Sequence, residues 1–188
     1  MSLLFERSKA LTLLNDNVKN KNLIKHCIAT EAIMKRLARR FSKDETLWGI
    51  TGLIHDLDLE LTRDAPHKHA ITTVKMLSSY DYPEEGLRAI LAHNGDVLEI
   101  LHESDFDYAL TCAETITGLI VATALVYPDK KLKSVKPKSV KKRMKEKWFA
   151  KSVNRDSILL CEKIGISIEE FIELSLDAMC EIDNELGL

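Results

Sequence analysis

The chain has 188 residues, 45% of them hydrophobic and 30% charged, and its formal net charge is only -2. That balance excludes a disordered or collagen-like polymer, and the near-neutral total names neither nucleic acid nor an anionic membrane as a partner. Residues 1–188 are long enough to bury a sizeable core and are expected to form a single domain.

Cys27, Cys112, Cys161 and Cys180 are dispersed with no C-x-x-C pair, which fits reduced thiols. The opening "MSLLFERSKALTLL" places Glu6, Arg7 and Lys9 where a secretory leader needs its apolar stretch. Export is therefore not expected, and a cytoplasmic location is.

Glycine and proline are scarce and apolar positions recur at three and four residues, so the expected class is all-α. Leu23, Cys27, Met34, Leu37 and Ala38 form the first helical stripe, ending near Phe41. Ser42 to Glu45 reads as a capping box opening a helix with Leu47, Ile50, Leu53, Ile54 and Leu57, whose final turn holds His55 and Asp56. The next helix is expected from Pro66 or His67 through Ile71, Val74 and Leu77, stopping before Tyr80 to Pro83. Pro83 then suits a first helical position, Leu87, Ile90 and Leu91 supply a stripe, and Asn94-Gly95 reads as its stop.

The longest element is expected from about Asp105 to Tyr127. Its apolar run has membrane-like length, but Glu114 and four threonines interrupt it, so a buried core helix is expected and no membrane span. Ser152 to Lys163 reads as helical with a stop at Gly165, and Ser167 to Glu170 caps a last helix carrying Phe171, Leu174, Ala178 and Ile182.

Between these elements, Asp129 to Lys147 carries ten Lys/Arg against two acids. Pro137 and Ser139 suit a helix start, and Val140, Met144 and Trp148 recur every four residues, predicting a basic amphipathic helical segment over about 129–149. Either its stripe docks on the body with solvated lysines, or it attracts a polyanion such as a nucleotide or RNA. Sequence-specific nucleic-acid recognition is not supported, because no aromatic residues interleave with the lysines. Arg155, just beyond, has the fork geometry for a phosphate.

The stretch "GITGLIHDLD" poses a chemical problem: an apolar run ends in a histidine and two acids, although a lone buried carboxylate costs several kcal/mol or takes up a proton. His26, the His55-Asp56 pair, His69 with His93, and Glu114 lie at inner faces or last turns of separate expected helices. Taken singly, each has a plainer account: His93 suits a helix C-terminus, and Glu114 pairs with a buried arginine or stays protonated. Taken together, imidazoles and carboxylates without thiolates make a donor set for one or two ions of iron, manganese, zinc, cobalt or nickel. A divalent cation keeps Asp56 and Glu114 ionised in an apolar bundle, activates water and polarises a phosphoryl oxygen. With two ions about 3.5 to 4 Å apart, Asp56 is the natural bridge.

His26, "LIHDLD" and an acid on a late apolar helix resemble the HD superfamily of metal-dependent phosphohydrolases, an all-helical fold. "HKHAIT" and "AILAHNGD" are similar to segments of its HDIG-like branch that supply further ligands, here His69 and His93. The stretches from "ALTCAETITG" to "KEKWFA" and "VNRDSILLCEKIGISIEEFIELSLDAM" look like a bacterial subgroup of these proteins, so the resemblance covers nearly the whole chain. It implies hydrolysis of a nucleotide or other small phosphorylated metabolite. His26, His55, Asp56 and Glu114 would form a first metal set, and His69 and His93 a second across Asp56.

Two departures qualify this. Glu114 stands where the family has aspartate, and Asn94 follows His93 where relatives often carry a second histidine, which leaves a mononuclear centre open. Asp58 replaces the glycine of the HDIG pattern and is a candidate acid/base or supporting group, against a solvated or capping aspartate. Lys68, with His67 and Arg63, is a candidate phosphate contact on a loop. The rival classes are an RNA- or anion-binding module and a nucleotide sensor without turnover. The oligomeric state is not legible.

Overall fold

The structure is a computed structural model that describes residues 5–188. Met1 to Leu4, part of the stretch read against export, lie outside the described residues. Among the described residues there are helices and no strands, as the periodicity implies.

The chain opens with α1 (Arg7–Asn17), an element the apolar pattern did not announce, because only Ala10 and Leu14 of it are buried. α2 (Lys21–Arg40) starts where the Asn20 side chain accepts from the backbone N–H of Asn22 and Leu23, satisfying donors that the first turn leaves free. It packs along α3 (Glu45–Ile54). Gly52 permits this close approach, since a Cβ there would lie 3.0 Å from the Thr30 carbonyl oxygen. The expected capping box at Ser42 does not form. Ser42 takes a positive φ of 53°, and Asp44 caps α3 by accepting from Thr46 and Leu47 N–H.

α3 also ends earlier than its apolar stripe implies. His55 is its C-cap, and Asp56 stands in the turn beyond. The helix expected from Pro66 is broken: a 3-10 turn spans Pro66–Lys68, Ala70 adopts φ 70°, and α4 (Ile71–Leu77) begins only then. Tertiary packing overrides local propensity at Ala70, whose left-handed backbone costs about 1 to 2 kcal/mol. α5 (Glu84–His93) follows Pro83, which is its cap residue rather than its first turn, and the short α6 (Gly95–Leu98) begins directly after Asn94.

α7 (Asp105–Leu125) is the central helix, packed against α2 and α5. It is long and apolar enough to cross a membrane, yet most of it is buried among its neighbours, including Phe106, Leu110, Ile116 and Ile120. Its start carries a complete capping box between Ser104 and Asp107.

The basic segment folds as a 3-10 turn (Leu132–Ser134) and α8 (Pro137–Met144). Val140 is buried, but Trp148 lies beyond the helix and is 83% exposed, so the expected Val/Met/Trp stripe is not one face. The helical region after Ser152 begins later, as α9 (Arg155–Leu159) capped by Asn154, and runs into a 3-10 turn (Leu160–Ile164) that stops at Gly165 with φ 75°. α10 (Ile168–Glu181) is capped by Ser167, and α11 (Asp183–Leu186) closes the chain. α9 and α8 both pack on α7, and α10 packs on α2.

Candidate metal centre

The local structure explains why six separated side chains meet. His26 lies within α2, four residues before Thr30, and Thr30 returns a hydroxyl bond to the His26 carbonyl. α3 stops one residue before His55, and the following turn carries Asp56 inward. The break at Ala70 frees His69 from helical geometry, and His93 is the last residue of α5. Glu114 projects from α7 into a cleft of about 360 Å³ that is also lined by His26 and His93.

The geometry is organised around Asp56. Its Oδ2 lies 3.6 Å from His26 Nε2 and 3.5 Å from His55 Nε2. Its Oδ1 lies 3.4 Å from both His69 Nε2 and His93 Nε2. Glu114 Oε2 is 3.9 Å from His26 Nε2, on the first of these two sides. The four Nε2 atoms also face one another, at 3.3 Å between His26 and His55 and 3.0 Å between His69 and His93.

Each ring is held from behind through Nδ1. His55 Nδ1 reaches the Gly52 carbonyl at 2.8 Å, and His93 Nδ1 reaches the Ile90 carbonyl. A carbonyl only accepts, so both rings carry a proton on Nδ1 and direct Nε2 inward. His26 Nδ1 is 2.8 Å from Thr117 Oγ1, whose hydroxyl donates to the Glu114 carbonyl at 2.6 Å. His69 Nδ1 donates to Asp58 Oδ1 at 2.8 Å.

Burial sets the charge states. Burial pulls the His55 pKa down to about 3, with His93 and His26 adding to the effect and Asp56 opposing it, so the ring is neutral. For Asp56, burial works upward but is outweighed by His55, His93 and His26, which hold the carboxyl well below its usual range. Glu114 is pushed up to about 7 by burial, with His26 and a Thr115 hydroxyl bond opposing and Asp56 assisting. Burial, with the Asp56 charge adding to it, pushes the nearby Cys27 thiol well up, and Cys27 belongs to neither group of candidate ligand atoms.

These donors fit a divalent transition ion. The neutral His55 ring and the ionised Asp56 carboxylate are in the protonation states that ligation needs, and the absence of thiolate from the set matches nitrogen- and oxygen-preferring metals. One ligand atom each from His26, His55 and Glu114 falls within a 4.8 Å group, and so does one each from His55, Asp56 and His93.

The remaining candidates do not join the cluster. Asp58 is fully buried, but its Oδ1 is taken by His69 and its Oδ2 by Thr73 N–H at 3.2 Å, so it braces the His69 ring and is neither a free acid/base nor a solvated cap. Arg155 is a correction: its guanidinium donates to the carbonyls of Glu146, Phe149, Ala150 and Val153, and a fork already engaged with backbone is not presented to a phosphate. Lys68 is exposed on the 3-10 turn, and its side chain makes no hydrogen bond or ion pair among the described residues.

Sequence reasoning missed Thr117 and the role of Asn94. The first was findable, three residues past Glu114 and so on the same face of α7. Asn94 Nδ2 donates to the carbonyls of Pro66 at 3.0 Å and His69 at 3.1 Å, tying the His69 loop to the end of α5.

An HD domain family model matches residues 23–123 of the chain. Among curated proteins, Ribonuclease Y of Acholeplasma laidlawii is 30% identical over 76 residues, covering 40% of this chain and 14% of that protein. Ribonuclease Y of Lactobacillus acidophilus is 26% identical over 98 residues, covering 52% of this chain and 18% of that protein. The match therefore spans less than a fifth of either relative's length. No solved structure gives a significant match.

Proposed function

The chain belongs to the HD domain family, and from that premise we propose that it is a metal-dependent phosphohydrolase acting on a nucleotide or similar small phosphorylated metabolite. The observation that carries the reading is the division of Asp56, with Oδ2 toward His26 and His55 and Oδ1 toward His69 and His93. His26, His55, Asp56 and Glu114 would hold one divalent ion, and His69, His93 and Asp56 a second. When bound, such ions supply Lewis-acid polarisation of a phosphoryl oxygen and acidify water.

The chain's own contribution is preorganisation. The Gly52 and Ile90 carbonyls, Thr117 and Asp58 fix four imidazole rings, so no reorientation is needed when a ligand enters. Thr115 donates to Glu114 Oε1 and leaves Oε2 facing His26. The cleft gives a phosphate access to His26, His93 and Glu114, while Asp96 and Asn154 line its wall.

The test is phosphate release from nucleoside monophosphates by manganese-loaded and metal-stripped protein. Turnover should require metal and disappear in Asp56→Ala and His55→Ala. Undiminished turnover by metal-free protein would refute the mechanism.

A second reading, action on RNA, has a specific support. Trp148 is exposed with Lys151 Nζ 5.5 Å from its ring centroid, and the chain then runs directly into Ser152 to Asn154 at the cleft. A cation beside an open indole suits stacked single-stranded bases, and two relatives are ribonucleases by name. Steeply salt-dependent RNA binding that Trp148→Ala abolishes would favour it.

A further inference from the structure

Beside the cleft lies a second hollow of about 430 Å³ lined by α2, α7 and the stretch Leu186 to Leu188, and the two share His26, Thr117 and Gly118 as their common wall. We infer that this groove is the subsite for the nucleobase of a nucleoside 5′-phosphate whose phosphate lies at the metal centre, an inference that rests on the phosphohydrolase reading.

His26 and Thr117 line both hollows, so an ester with its phosphorus beside His26 has its organic group at the edge of the groove. Gly118, on the same wall, lets Val153 pack close, since a Cβ there would approach Val153 Cγ2 to 3.1 Å. Ala29, Val121 and Leu125 give the groove apolar walls, with Leu125 49% exposed although it sits on the otherwise buried core helix. Two polar groups stand on the same lining: the Asn22 amide and the half-buried Lys25 ammonium, whose side chains make no hydrogen bond or ion pair among the described residues.

Apolar walls with a few unengaged polar groups are the usual make-up of a small-molecule site. This set selects among organic groups. An alkyl chain would cover Val121 and Leu125 but leave the partly buried ammonium without an acceptor, and a sugar alone would leave the apolar walls wet. A nucleobase has apolar faces for the walls, ring nitrogens or carbonyls for the donor-only Lys25, and an edge that the donor-acceptor amide of Asn22 can read.

The test compares two ligands that differ by the base alone. Calorimetric titration of manganese-loaded protein should show AMP binding about ten-fold or more tightly than ribose 5-phosphate. Val121→Trp should bring AMP to the level of ribose 5-phosphate, and Leu125→Trp, at a more exposed position, should do the same if the first variant folds poorly. Equal affinities in the unmodified protein would overturn the assignment, as would an AMP preference that survives in a folded variant. Tighter binding of octyl phosphate than of AMP would also overturn it, by giving the groove to an alkyl chain. Phosphate release followed in the same samples separates the two claims: a groove-dependent AMP preference without turnover supports the subsite and removes the hydrolytic reading.

Discussion

His69 Nδ1 donates to Asp58 Oδ1 at 2.8 Å, with Asp58 itself fully buried and its other oxygen held by the Thr73 backbone N–H. A carboxylate behind an imidazole fixes its orientation and raises the basicity of the opposite nitrogen, and losing such a partner costs roughly 10- to 100-fold in metal affinity. Asp58→Asn should therefore weaken the ion on the His69/His93 side by that factor and leave the His26/His55 side occupied. Metal titration followed by elemental analysis checks this. Loss of thermal stability with both ions retained at full affinity would assign Asp58 to folding alone.

Glu114 is the proposed ligand whose identity departs from the family pattern, and burial raises its carboxyl to about 7. Glu114→Gln keeps the shape and removes the charge. Affinity on the His26/His55 side should fall by roughly 10-fold or more, because a neutral amide replaces an anionic oxygen. Unchanged affinity in a metal titration would remove Glu114 from the ligand set.

Arg155 makes the opposite kind of prediction. Its guanidinium closes the segment before α9 through four backbone carbonyls. Arg155→Ala should lower stability by about 2 to 3 kcal/mol, since several charge-assisted bonds are lost at once, and should expose residues 145–154 to proteolysis. Urea unfolding and limited proteolysis provide the readouts. Unaltered stability with a selective loss of phosphate affinity would restore the role that sequence alone suggested.

Alkaline pH should destabilise the protein through the buried Cys161 thiol. Burial raises Cys161 to about 12 from an ordinary 9.0, with Glu162 adding to the effect. Between those values the unfolded chain has released the proton that the folded chain retains, so the unfolded state binds fewer protons and stability falls as pH rises from 9 toward 12. The urea midpoint should drop between pH 8 and pH 10.5, and the drop should be smaller in Cys161→Ala. An equal drop in both proteins would place the alkaline sensitivity elsewhere.

The helical class and the convergence of the candidate side chains were legible because each rests on a local signal: period for the helices, and a costly polar residue at an inner face for His26, Asp56 and Glu114. What was not legible depends on tertiary context. Ser42 and Glu45 have the composition of a capping box, but the chain leaves α2 through a left-handed Ser42 and Asp44 caps instead. The break at Ala70, which lets His69 face both Asp56 and Asp58, contradicts the local helical pattern. The spacing of Val140, Met144 and Trp148 fits one helix face, yet α8 ends at Met144 and leaves the indole in solvent. Arg155 illustrates a general limit: sequence reveals a guanidinium but not whether backbone carbonyls already occupy it.

The central claim is that Asp56 serves two ions at once, and metal stoichiometry tests it most directly. Manganese-reconstituted protein should hold two equivalents per chain, His26→Ala and His93→Ala should each lose one, and Asp56→Ala should lose both. A single equivalent in the unmodified protein, or two equivalents surviving in a folded Asp56→Ala variant, would contradict the account.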